Sequence, residues 1–118
     1  MQKIILPLQE HFDLIKDTPI SQAVFIHDYY ELWIQKDYLR FYSKLSVTKD
    51  GNSYTLPSRD ASYIFSSLVD DKLSSIEEKE NCIVIETLSG ITITVDTLFE
   101  ADGENFDMRH EGEISFSA

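Results

Sequence analysis

The feature that most constrains this chain is a period-two alternation of apolar and polar residues. It recurs in runs of about five residues, broken by short polar turns. Successive side chains of a strand point to opposite faces, so such runs read as strands with one face against a core. Ile91, Ile93 and Val95 share a face opposite Thr92 and Thr94, and Ile83 and Ile85 share a face of the preceding run. Residues 22–26, 30–35, 38–47, 53–56 and 73–78 read in the same way. All four glycines, at 51, 90, 103 and 112, follow a polar residue between apolar segments, which is hairpin punctuation. Asp50-Gly51 suits a type I′ turn, which needs positive φ at both central positions. Lys36-Asp37 and Glu80-Asn81 are further expected turns.

Two segments depart to a helical period. Leu8, Phe12 and Ile15 fall at i, i+4 and i+7 between Pro7 and Asp17-Thr18-Pro19, the opening and closing signals of a short amphipathic helix. Ala61, Ile64, Phe65 and Leu68 repeat the pattern behind Ser58, a good N-cap, with Asp60 in the first turn. The expected fold is therefore α+β. It is an antiparallel, strongly twisted sheet of about six to eight strands, with a helix at 59–69 on one face and a short N-terminal helix near an edge. Its expected core is Ile26, Leu32, Ile34, Phe41, Ile64, Phe65, Leu68, Ile83, Ile85, Ile91 and Ile93.

With 118 residues, 42% of them apolar, the chain suffices for one domain, 1–118, that needs no disulfide or metal staple. No glycine- or serine-rich linker divides it. The strand pattern at 24–41 is echoed at 76–95, which reads either as a degenerate duplication of a strand unit or, more simply, as the self-similarity that any antiparallel meander produces.

Charge is unevenly placed. Residues 1–59 hold seven acids and seven bases, whereas residues 60–118 hold fourteen acids and three bases, so the whole net charge of −11 lies in the second part. Nucleic-acid binding needs cations to replace counterions and is not expected. A directional negative field suits a basic protein partner, and equally suits solubility. The single cysteine, Cys82, precludes an internal disulfide and fits a reducing compartment. No run approaches the roughly 20 apolar residues of a membrane helix, and the apolar run at 4–6 is too short for a signal-peptide core. The expectation is a cytoplasmic protein with no membrane partner.

The templates of catalysis are missing. His11, His27 and His110 share no ligand spacing, and with one cysteine they give no zinc motif. Setting Gly103 at the sixth position of a calcium loop puts Leu98 and Arg109 where ligand oxygens belong, so no EF-hand is present. No G-x-S-x-G elbow, dinucleotide fingerprint or Walker loop occurs. Cys82 lies in a strand, where a small core thiol is the usual role. No catalytic residue, cofactor or metal is expected, and the chain reads as a binding protein.

Aromatic residues are concentrated at 29–42: Tyr29, Tyr30, Trp33, Tyr38, Phe41 and Tyr42. If Tyr30, Leu32 and Ile34 face the core, then Tyr29, Glu31 and Trp33 face outward, and exposed Trp and Tyr are common interface anchors. The expected partner-binding residues are Glu77, Glu78, Glu86, Glu100, Asp102, Glu104 and Asp107 for charge, with Trp33 and Phe106 as anchors. A covered second face would instead make the aromatics structural.

The runs Tyr30-Glu31-Leu32-Trp33-Ile34, Leu39-Arg40-Phe41-Tyr42, Val47-Thr48-Lys49-Asp50-Gly51 and Ile83-Val84-Ile85-Glu86-Thr87-Leu88-Ser89-Gly90-Ile91-Thr92-Ile93 resemble strand–turn runs of small acidic bacterial immunity proteins. These belong to contact-dependent growth inhibition and related polymorphic toxin systems. The likeness covers about residues 24–95, is one of style without an exact motif, and carries over no catalytic residue. It implies an inhibitor of a basic toxin, often a nuclease, acting by steric and electrostatic blocking. The alternative is a small accessory or regulatory subunit that binds through its aromatic strands.

Overall fold

A computed structural model describes residues 7–27, 29–42, 44–98, 105–110 and 113–117. The helical and alternating segments become α1 (Leu8–Ile15), β1 (Gln22–Ile26), β2 (Tyr29–Ile34), β3 (Asp37–Phe41), β4 (Leu45–Lys49), β5 (Asn52–Thr55), α2 (Arg59–Ser66), β6 (Leu73–Glu78), β7 (Cys82–Thr87), β8 (Thr92–Asp96), β9 (Phe106–His110) and β10 (Glu113–Ser117). The class is α+β and every strand pairing is antiparallel.

The strands form two five-stranded sheets, ordered β1-β2-β3-β9-β10 and β5-β4-β8-β7-β6, and not the single sheet of six to eight expected. The run read from 38 to 47 is divided between β3, which ends at Phe41, and β4, which begins at Leu45. β3 stays in the first sheet, and β4 crosses to the second. The inward residues of both sheets, among them Leu32, Leu39, Phe41, Phe106 and Met108 from the first and Leu45, Val47, Ile83, Ile85, Ile93 and Val95 from the second, form one buried cluster. Helix α2 packs against β1 of one sheet and β4 and β5 of the other, whereas α1 packs against β10 and β6. Each helix thus closes one flank between the sheets.

Ser58 caps α2 as its sequence suggests, its Oγ accepting from the Ala61 N–H at 3.2 Å. The regular helix ends at Ser66, short of residue 69, yet Leu68 is still buried beneath it. Asp50 and Gly51 take φ of +53° and +80°, the positive pair that the hairpin turn demands. The β2–β3 turn falls on Gln35 and Lys36, one residue earlier than expected. Ile34 pairs with Asp37, so Asp37 opens β3 and is buried. Of the expected core, Ile26 alone is displaced: it pairs with Tyr29 at the hairpin end of the outer face and is exposed.

The topology repeats. A helix, a three-stranded meander and a hairpin occur as α1, β1–β3, β4–β5 and again as α2, β6–β8, β9–β10. In each case the hairpin joins the sheet of the other meander. The strand echo at 24–41 and 76–95 is the meander part of this larger repeat.

Candidate functional site

The outer face of the first sheet carries the most elaborate arrangement of polar side chains. Register places Trp33 opposite Tyr38, Glu31 opposite Arg40, Tyr38 opposite Arg109 and Arg40 opposite Asp107. These residues therefore lie on one surface across β2, β3 and β9. A continuous hydrogen-bonded chain links them. The Trp33 indole N–H donates to Glu31 Oε1 at 3.0 Å, and Arg40 Nε and Nη2 both reach Glu31 Oε2 at 2.6 Å. Arg40 Nη1 donates to the Tyr42 hydroxyl at 3.2 Å. That hydroxyl donates to Asp107 Oδ2 at 3.3 Å, which also receives Arg109 Nη2 at 3.1 Å.

Aromatic rings wall this chain. Trp33 stacks on Tyr38 with centroids 4.3 Å apart. The Arg40 guanidinium lies 4.7 Å from the Tyr29 centroid and 5.1 Å from that of Tyr38, within cation–π range. Glu31 and Asp107 are buried while the two arginines are partly exposed. Burial disfavours both guanidinium charges, but the hydrogen bonds that Arg40 donates to Tyr42 and Glu31, and the Asp107 charge beside Arg109, outweigh it and hold both firmly protonated. Two arginines against two carboxylates leave the face neutral. Half-buried Tyr29, Trp33 and Tyr42 complete it.

The second sheet differs. Its outer face is built from Ser46, Thr48, Ser53, Thr55, Thr92 and Thr94, with Val84, Cys82, Glu77 and Glu86 toward β6. Glu77 and Glu78 on the edge strand β6, Glu80 in the following turn and Glu86 on β7 are all exposed. Among the ion pairs between described residues none includes these four.

The expected contact residues thus fall into four groups. Glu77, Glu78 and Glu86 lie together on the β6–β7 hairpin, and Trp33 lies on the opposite sheet. Glu100, Asp102 and Glu104 lie outside the described residues. Phe106 and Asp107 are corrections, since both are fully buried. Phe106 packs on Phe41 with centroids 5.5 Å apart and belongs to the core, and Asp107 belongs to the arginine network. Their acidic neighbourhood in sequence made them expected contact residues, but strand pairing with β3 draws them in.

A third cluster joins residues that sequence spacing did not connect. His11 of α1, Asp37 at the start of β3 and His110 at the end of β9 place ligand-capable atoms within 4.8 Å of one another. His110 Nδ1 lies 2.9 and 3.1 Å from the two Asp37 oxygens, and His11 Nε2 lies 3.6 Å from Asp37 Oδ2. Burial pushes the His11 pKa below its ordinary value, against the pull of the Asp37 charge. Only a fold could reveal this cluster, because Asp37 and His110 stand 73 residues apart. His27 is not part of it.

The chain matches no known protein family, no curated protein and no solved structure. No described helix is long and apolar enough to cross a membrane.

Proposed function

We propose that the chain is an inhibitor of the immunity type, which binds a basic toxin domain, most simply a nuclease, and blocks it sterically and electrostatically. The observation that carries this reading is the exposed set Glu77, Glu78, Glu80 and Glu86 on edge strand β6 and its neighbour. Carboxylates on an edge repel a second copy of the same edge and so oppose self-association. They attract a cationic surface such as a phosphate-binding cleft, and opposite fields speed the encounter. The likeness to immunity proteins at 24–95 points the same way.

The test compares the chain with a variant in which these four glutamates become glutamine. Each is immobilised and exposed to lysate of the source cell at low and high salt, and the captured protein is assayed with and without the chain. The reading expects a basic protein that the variant and high salt both release, and whose toxic activity the chain suppresses. Equal, salt-resistant capture by both forms would remove the acidic edge as the interface.

That second result would favour the accessory-subunit reading, for which the specific observation is the Trp33, Tyr29 and Tyr42 face. Tryptophan, tyrosine and arginine are the residues that dominate binding energy at interfaces. A face already cross-linked by its own hydrogen bonds loses little side-chain freedom on binding.

A further inference from the structure

We propose that His11, Asp37 and His110 form a binding site for a divalent transition-metal ion of the zinc type, with one coordination position left open to solvent. The site lies on the opposite face of the first sheet from the Trp33–Arg109 network and uses none of the β6–β7 glutamates, so it is independent of the inhibitor reading.

The donor set selects the ion. Two imidazoles and one carboxylate suit Zn2+ and its neighbours, whereas Mg2+ and Ca2+ prefer shells of oxygen. The geometry is close to what such an ion needs. Ligand atoms about 2.0–2.2 Å from a tetrahedral ion stand roughly 3.3–3.5 Å from one another. The Asp37 oxygens already lie 2.9 and 3.1 Å from His110 Nδ1, and 3.6 Å separates Asp37 Oδ2 from His11 Nε2. All the candidate atoms fit within 4.8 Å, and the remaining closure falls to His110, the most exposed of the three side chains. The two rings meet edge to face, with centroids 5.8 Å apart and planes at 77°, an arrangement that lets both nitrogens converge on the carboxylate.

The surroundings agree with this assignment. His11 is fully buried and Asp37 nearly so, which fixes two of the three ligands in rigid elements, α1 and β3. The His110 side chain is 44% exposed, so an ion can enter from solvent on that side and retain a water there. Three protein ligands with one open position is the arrangement of zinc sites that exchange a ligand, as opposed to closed structural sites. The ion would tie α1 to two strands that meet only through long-range pairing, and so would stabilise the folded chain over the unfolded one.

The experiment uses the full chain, stripped with a chelator and titrated with Zn2+ by calorimetry and with Co2+ by visible absorption. One ion per chain is expected, with the intense absorption of four-coordinate Co2+ and a melting temperature that rises with Zn2+. His110→Ala alters a half-exposed side chain, so the variant retains the fold. Its affinity should fall by at least about tenfold, since even loss of a residue that only orients a ligand costs that much. Glu10→Gln, an exposed neighbour on α1, should bind as the parent does. Absence of stoichiometric binding by the parent chain, or equal affinity in His110→Ala, would overturn the assignment.

Discussion

At the scale of single residues, the chain shows how burial turns ordinary side chains into committed ones. Glu31 is almost fully enclosed, and its two oxygens are taken by Trp33 and Arg40. Removing one partner of such a pair leaves a charge without compensation. Glu31→Ala should therefore cost about 2–3 kcal/mol in urea unfolding, toward the low end of such losses because Arg40 keeps some contact with solvent. Arg40→Lys should not rescue the network, because an ammonium cannot reproduce the planar fork that meets Glu31, Tyr38 and Tyr42 together. Asp71 makes a second, pH-dependent case. Burial by itself would raise its pKa, but hydrogen bonds from the Ser89 hydroxyl and from the Lys72 and Ser89 amides lower it overall. Its folded pKa thus lies below the unfolded value of about 3.9. The stabilisation is present above that value and is lost as pH falls through the depressed one. Asp71→Asn should lower stability by about 1 kcal/mol at pH 7, a modest figure because Asp71 is only half-buried. The gap between the two urea midpoints should narrow as pH falls below the unfolded value of about 3.9.

At the scale of elements, local rules were largely legible. The period-two runs placed β1 and β6 at their observed bounds, and the capping serine placed the start of α2. Asp50-Gly51 announced its turn. An added Cβ at Gly51 would meet no atom within 4 Å, so only its φ of +80° opposes substitution. Gly51→Ala should accordingly cost about 1–2 kcal/mol, the penalty for a left-handed L-residue, with no loss from crowding. Thermal unfolding of the variant measures it. β9 shows where local rules stop. Phe106 and Met108 alternate with Asp107 and Arg109, which is a strand signal, but the sequence does not show what satisfies the two charges. The two charges pair with each other, but the Tyr42 hydroxyl that links Asp107 to Arg40 lies 65 residues away, and no local window contains it. The His11–Asp37–His110 cluster was illegible for the same reason, since its members sit on three elements brought together only by β3–β9 pairing and by α1 packing. By contrast, Tyr29, Glu31 and Trp33 share a face simply by being two apart, which sequence alone supplies.

At the scale of the whole molecule, the repeated topology makes a demanding prediction. Neither repeat owns a complete sheet. The meander β1–β3 is extended by the hairpin β9–β10, and the meander β6–β8 by β4–β5. The hairpin junctions β3–β9 and β4–β8 are central pairings, with strands on both sides. A fragment of residues 1–57 would hold a three-stranded meander with Leu32, Leu39 and Phe41 uncovered, and a hairpin with no sheet to join. A fragment of residues 58–118 would lack the strands that cover Phe106, Met108, Ile93 and Val95. Each would also be near the size at which a single core becomes marginal. Both fragments should therefore lack fixed tertiary structure alone, as read by near-ultraviolet circular dichroism and amide hydrogen exchange. Mixed at equal concentration they should recover the sandwich, because the exchange of hairpins makes each fragment the template for the other. Recovery should be salt-sensitive only to the extent that residues 60–118, with fourteen acids against three bases, repel themselves on compaction. A fragment that folded unaided would mean that each meander and its own hairpin can form a sheet without exchange. The two sheets would then be separable units, and the single buried cluster they now share would be an accident of packing instead of the condition for folding.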